Sequence, residues 1–98
     1  MKETFEKSLN SGKPVLAAFI SAGNNEEVKI DEIIDRVKEK FNDKIEYVVV
    51  DCAMHRPLRK KYQIDNYPTF ILFKGEEQFW RGNTHKAEVI EESINSFI

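Results

Sequence analysis

The sequence has one cysteine, Cys52, and two histidines. A lone cysteine excludes a disulfide within the chain, and it fits a reducing compartment. Zinc sites need four protein ligands, or three ligands and a water, at short spacings. Asp51, Cys52 and His55 are close in sequence but too few, and the other histidine, His85, is far along the chain. We therefore predict no metal site and no cofactor.

The sequence also lacks a long apolar run and an excess of charge of one sign. No run approaches the ~20 apolar residues that span a bilayer, and Met1–Lys7 has no apolar core of a signal peptide. The net charge is −2, with both signs interspersed, so nucleic acid and anionic membranes are not expected partners. We expect one globular domain over residues 1–98, in the cytoplasm, with an oligomeric state that the sequence leaves open.

Helical and strand patterns alternate along the chain. The apolar run Val15–Ile20 predicts a central strand buried on both faces, and apolar residues at helical spacing predict a long helix from an Asn24 cap to Phe41. The other patterns predict helices over 2–10 and 57–62, strands over 44–51, 69–73 and 78–81, and a last helix ending near Phe97. The order α-β-α-β-α-β-β-α predicts an α/β domain with a four-stranded mixed sheet between helices.

The segment Asn66–Glu76, in which Tyr-Pro-Thr precedes an apolar strand and Phe-Lys-Gly-Glu, resembles the thioredoxin family. The resemblance extends over essentially the whole chain, and the Val-Asp-Cys step at Cys52 is also similar to protein disulfide isomerase domains. It implies a thioredoxin fold that lacks the usual N-terminal strand. It also implies a cis bond between Tyr67 and Pro68, with the backbone before the proline pairing with an extended peptide.

The same resemblance implies where the redox groups of the family would lie, and none of them is present. Asn24 and Glu27 occupy the two positions of the Cys-x-x-Cys motif, and Gly23 occupies that of the preceding tryptophan. The buried acid falls on Ala18 and its lysine partner on Val49. Dithiol exchange needs a nucleophilic thiolate, a resolving thiol and a proton acceptor, so we expect no dithiol activity.

The leading hypothesis is therefore a thioredoxin-fold protein that binds a protein or an extended peptide. Its groove would lie beside the cis-proline, with strand-type backbone pairing to the peptide. The residues predicted to line this groove are Gly23, Asn24, Asn25, Tyr67 and Pro68.

Two alternatives stay open. A thiol–disulfide oxidoreductase or a glutathione-linked enzyme could act through Cys52 alone, although a half-buried structural thiol is the more ordinary interpretation. A structural subunit of a larger assembly could use the sheet edge that the missing strand would leave exposed.

Other polar and aromatic residues have ordinary interpretations. His55 is expected to be an exposed loop histidine, and Glu26 and Glu27 are expected to stabilise a helix N-terminus. The cations Arg56, Arg59, Lys60 and Lys61 are expected to form a solvated helix face, or an interaction surface. By strand alternation, one of Phe79 and Trp80 should face the core and the other outward.

Overall fold

Helices and strands alternate in the predicted order in a computed structural model of the chain. The structure describes the backbone of residues 2–21 and 26–98 and the side chains of residues 5–21 and 29–98. In this part of the chain the elements are α1 (Lys2–Leu9), β1 (Pro14–Ile20), α2 (Glu26–Phe41), a 3-10 turn (Asn42–Lys44), β2 (Glu46–Asp51), α3 (Arg56–Lys61), β3 (Thr69–Lys74), β4 (Glu77–Gly82) and α4 (Ala87–Phe97).

The strands form one mixed sheet of four strands in the order β2-β1-β3-β4. β1 is parallel to β2 and antiparallel to β3, and β3 and β4 form an antiparallel hairpin. All residues of Val15–Ile20 are buried, because β1 has a strand on each side and helices over both of its faces. The prediction of a central strand from a continuous apolar run is confirmed.

Each face of the sheet has its own core. Side chains of α2 and α4 cover one face, with Ile30, Val37, Ile90 and Ile94 among the buried residues. Side chains of α1 and α3 cover the other face. There, Phe5, Phe19, Tyr62 and Phe73 form an aromatic cluster with ring centroids 5.3 to 6.1 Å apart. The two cores hold the ends of β1 and β2 in place from both sides.

The start of β2 differs from the prediction. Asn42–Lys44 forms a 3-10 turn, and the strand begins only at Glu46. Asn42 has a φ of 50°, a left-handed conformation that asparagine adopts more readily than most residues. This residue ends α2 abruptly, so Lys44 belongs to the turn.

The prediction that one of Phe79 and Trp80 faces the core and the other outward is confirmed by their burial, since Trp80 packs against the core and Phe79 is exposed, but β4 also contains a bulge that the sequence did not indicate. Leu72 lies opposite Trp80, whereas the next residue of β3, Phe73, lies opposite Gln78. Phe79 is therefore the extra residue, and a bulge of this kind shifts the alternation of side chains. The Phe79 ring lies 4.4 Å from the Phe97 ring of α4, and Trp80 packs against the core on the same face.

Candidate functional site

The predicted site residues that the structure describes lie at one end of the sheet. β1 and β2 end there and β3 begins there, since Phe19 lies opposite Thr69 in the antiparallel pair. The Cys52 N–H donates a hydrogen bond of 2.8 Å to the carbonyl of Ile20, at the end of β1. The loop before β3 contributes Tyr67.

The predicted groove has two walls, and the structure describes one of them. Gly23, Asn24 and Asn25 lie outside the described residues. Glu27 belongs to α2 by its backbone, but its side chain is not among those described. The described wall of the groove is the loop that precedes β3.

The Tyr67–Pro68 peptide bond is cis, and the residues after it are held firmly. Pro68 and Thr69 are buried, and the Thr69 hydroxyl donates to the Asn66 carbonyl at 2.6 Å. The side-chain amide of Asn83, which follows β4, donates to the Pro68 carbonyl at 3.2 Å and to the Thr69 hydroxyl at 2.7 Å. The backbone around Pro68 is thus held by hydrogen bonds from two parts of the chain, Thr69 at the start of β3 and Asn83 after β4.

Arg81 of β4 holds the loop between α3 and β3 in place at the end that follows α3. Its guanidinium donates to the carbonyls of Tyr62 and Gln63, each at 2.5 Å. Gln63 has a φ of 52°, so the chain turns sharply there. Sequence reasoning missed both Arg81 and Asn83, because each acts on backbone carbonyls far away in sequence and neither belongs to a motif.

The backbone of Tyr67 is left unpaired by the rest of the described chain. No hydrogen bond joins its N–H or C=O to any other described residue, although Pro68 and Thr69 beside it are bonded. A backbone donor and acceptor next to a rigid turn form a short edge with which an extended peptide can pair.

The thiol of Cys52 is fully buried, with 1% of the residue exposed, so the prediction of a half-buried thiol is wrong. It lies in the core under α1 and α3. Burial raises the pKa of the thiol, while a hydrogen bond from Tyr67 and the charge of Arg59 lower the pKa and the charge of Asp51 raises it. Because burial is the largest effect, the thiol stays protonated at neutral pH, and a protonated thiol is a poor nucleophile.

Tyr67 interacts with this buried thiol and is itself partly exposed to solvent. The tyrosine is half-buried, and burial is the main reason why its pKa is raised. Its hydroxyl is hydrogen-bonded to Cys52 and to Arg59 of α3. His55 is not among the described groups that act on the pKa of the thiol. It is half-buried and not exposed as predicted, and it is the N-cap residue that precedes α3.

The two positions of the implied acid–base pair come together. Ala18 and Val49 are direct partners in the parallel register of β1 and β2. Neither side chain can donate or accept a proton. The described residues contain no group of three or more His, Cys, Asp or Glu that could hold a metal ion. None of the described helices is both long and apolar enough to cross a bilayer.

Comparison with known proteins agrees with this geometry. A sequence model of the thioredoxin-like domain family matches residues 1–98. The chain is 40% identical over 90 residues to the chloroplastic thioredoxin Y2 of Arabidopsis thaliana, a match that covers 89% of this chain and 53% of that protein. It is 27% identical over 95 residues to protein disulfide-isomerase 1 of Caenorhabditis elegans, covering 92% of this chain and 19% of that protein.

Among solved structures, that of the thioredoxin from Trypanosoma brucei brucei superposes with a TM-score of 0.84 at 13% identity, covering 99% of this chain and 85% of that chain. This likeness shows the fold. The chain spans about half the length of the chloroplastic relatives that it matches, 46% of one and 53% of another. With its single cysteine, it contains no Cys-x-x-Cys motif.

Proposed function

Because the chain belongs to the thioredoxin-like domain family, we propose that it uses this fold to bind an extended protein segment and not to exchange disulfides. The observation that carries the proposal is that the Tyr67 backbone, beside cis-Pro68, makes no hydrogen bond to any other described residue, in a chain with one cysteine. A backbone donor and acceptor available for pairing support the proposal, as does the lack of the two thiols of a dithiol enzyme.

The edge is suited to binding because it is rigid before a ligand arrives. The Thr69 hydroxyl donates to the carbonyl two residues before Pro68, and the Asn83 side chain donates to the Pro68 carbonyl and to the Thr69 hydroxyl. Because these bonds restrict the backbone around Pro68, little conformational freedom is lost when a peptide pairs with Tyr67. Pairing through one residue's N–H and C=O supplies few hydrogen bonds, each worth about 1 kcal/mol net. Side-chain contacts around Tyr67 must supply the rest of the affinity.

The enzymatic alternative has less support. A catalytic cysteine is expected to be accessible and to have a lowered pKa, whereas Cys52 is buried and its pKa is raised. Ala18 and Val49 offer no group that could move a proton at the end of the sheet. A Cys52-dependent activity would therefore first require the core around the thiol to open.

The test is selection of short peptides from a displayed random library, followed by amide NMR titration of the selected peptides. We expect the Tyr67 amide to shift on binding, and we expect Tyr67→Ala to weaken binding by roughly fivefold or more. Phe79→Ala is the matched control, because Phe79 is an exposed aromatic residue on β4. Binding that leaves the Tyr67 amide unshifted would contradict the proposal, because the backbone of this residue is the proposed contact; the Tyr67→Ala variant measures what the side chain adds.

Disulfide reduction separates the two hypotheses. Wild-type protein and Cys52→Ser should both fail to reduce insulin at a rate near that of an ordinary thioredoxin. Reduction that disappears in Cys52→Ser would establish the enzymatic alternative instead.

A further inference from the structure

The strongest charge asymmetry in the described structure lies on α3. We define the basic surface as the side chains of Arg56, Arg59, Lys60 and Lys61, all of which belong to exposed residues. The helix contains no acidic residue. The chain as a whole has a net charge of −2, and α4 carries Glu88, Glu91 and Glu92 without any cation. The helix α3 therefore has a net positive charge in a protein whose overall charge is negative.

The protein itself does little to neutralise this surface. Lys61 faces Glu76 at 3.9 Å, and both of those side chains are largely exposed, so the pair is weak. Neither Arg56 nor Lys60 makes an ion pair with any described residue. On the opposite face of the sheet, by contrast, Arg36 pairs with Glu88 at 2.7 Å.

The basic surface is continuous with the edge at Tyr67. Arg59 donates from Nε to the Ile64 carbonyl at 3.3 Å and is hydrogen-bonded to the Tyr67 hydroxyl. Arg59 and Lys60 also line a surface hollow with Gln63, Ile64 and Asp65. Among the described residues, Asp65 is the only acidic one that lines it. A peptide that pairs with Tyr67 thus runs beside cations.

We infer that the segment bound at Tyr67 is acidic, with glutamate or aspartate side chains that contact Arg56, Arg59 and Lys60 of the basic surface. The inference rests on the proposed peptide-binding function and adds the chemistry of the partner to it. Charge complementarity at the rim of an interface mainly sets specificity and association rate. A nucleic acid is the less favoured polyanion, because the protein's overall charge is negative and would oppose its approach.

The test uses three short labelled peptides in which valine alternates with glutamate, glutamine or lysine. Their affinities are measured by fluorescence anisotropy at about 50 mM and about 300 mM salt. We expect the glutamate peptide to bind roughly tenfold more tightly than the glutamine peptide at the lower salt concentration, and the preference to shrink at the higher one. The lysine peptide should bind more weakly than either.

Two charge-reversal variants locate the preference. Arg56→Glu combined with Lys60→Glu should abolish it, since both cations are exposed and neither has a described ion-pair partner. Lys40→Glu combined with Lys44→Glu changes the net charge by the same amount at the end of α2 and in the 3-10 turn after it. This control should keep the preference.

The outcomes separate this inference from the proposed function. If all three peptides bind equally and Tyr67→Ala weakens each, the binding function stands and the acidic preference is wrong. If no peptide binds, both fail. A glutamate preference that survives the reversal of Arg56 and Lys60, or one that does not depend on Tyr67, overturns the inference. Tighter binding of a single-stranded oligonucleotide than of the glutamate peptide overturns it in favour of nucleic acid.

Discussion

Ala18 of β1 lies directly opposite Val49 of β2 in the parallel register of the sheet. Ala18 is fully buried, and Val49 packs against the same core. In the family that the sequence resembles, these positions hold an acid and a lysine. Because the two side chains are neighbours, an acid at one position without a cation at the other would be a buried unpaired charge. Both residues are apolar here, and the site is consistent with packing alone.

A single acid restored at this place should be costly. Ala18→Asp is expected to lower the free energy of unfolding by about 3 kcal/mol or more, because the carboxylate is buried without a partner. Adding Val49→Lys should recover part of the loss by supplying a cation across the two strands. Urea denaturation followed by circular dichroism measures both. Ala53→Asp, at an exposed position, is the control, and equal losses in the single and double variants would contradict the pairing.

The burial of Cys52 leads to a second prediction, which concerns the reactivity of its thiol toward alkylation. Iodoacetamide should alkylate Cys52 at neutral pH at least about tenfold more slowly in the folded protein than in urea, because the thiol is buried and its pKa is raised. Since the Tyr67 hydroxyl lowers the thiol's pKa, Tyr67→Phe should raise that pKa further. Mass spectrometry of the alkylated protein over a pH series gives the rates. Alkylation as fast as that of a free thiol in the native protein would show that Cys52 is accessible.

Much of the fold could be predicted because its signals are local. The continuous apolar run of β1 and the helical spacing in α2 each determine an element without knowledge of the rest of the chain. The exceptions depend on tertiary contacts. The bulge at Phe79 brings that ring against Phe97 of α4, a contact between residues that no local pattern connects.

The site was less predictable for the same reason. Tyr67 and Pro68 were found because they belong to a recognisable motif, and Cys52 because it is the only cysteine. The depth of Cys52 in the core depends on how α1 and α3 pack over the sheet. The roles of Arg81 and Asn83 depend on which carbonyls β4 brings within reach. The partner and the cytoplasmic location stay predictions.

Arg81 is expected to matter more for stability than other surface cations. Arg81→Ala removes two charged hydrogen bonds to the carbonyls of Tyr62 and Gln63, and we expect a loss of about 2 kcal/mol in the free energy of unfolding. Amide hydrogen exchange should also become faster in residues 62–68. Lys74→Ala, which removes one exposed bond to the Gly12 carbonyl, is the control. Similar losses in both variants would show that Arg81 does not fasten the loop.

Tyr47 links stability to alkaline pH. Burial raises the pKa of Tyr47 to about 12 from an ordinary value of 10.0, and its hydroxyl donates to the Asn42 carbonyl at 3.1 Å. Between these pH values the unfolded chain loses the proton before the folded one does, so the free energy of unfolding should fall as pH rises from about 10 to about 12. Tyr47→Phe should weaken this dependence. Urea denaturation over the pH series measures it, and identical slopes for the two proteins would contradict the assignment.

The last prediction concerns Gly82 and Trp80. The indole ring of Trp80 occupies the space that a side chain at position 82 would fill. A Cβ added to Gly82 would lie 2.5 Å from Cζ2 of Trp80, so the indole or the end of β4 would have to move. Gly82→Ala is therefore expected to lower the free energy of unfolding by about 1–3 kcal/mol. In a Trp80→Leu background the alanine meets no indole ring, and its cost should largely disappear. A double-mutant cycle by urea denaturation isolates this coupling. Additive losses would mean that the backbone at Gly82, and not the contact with Trp80, requires glycine.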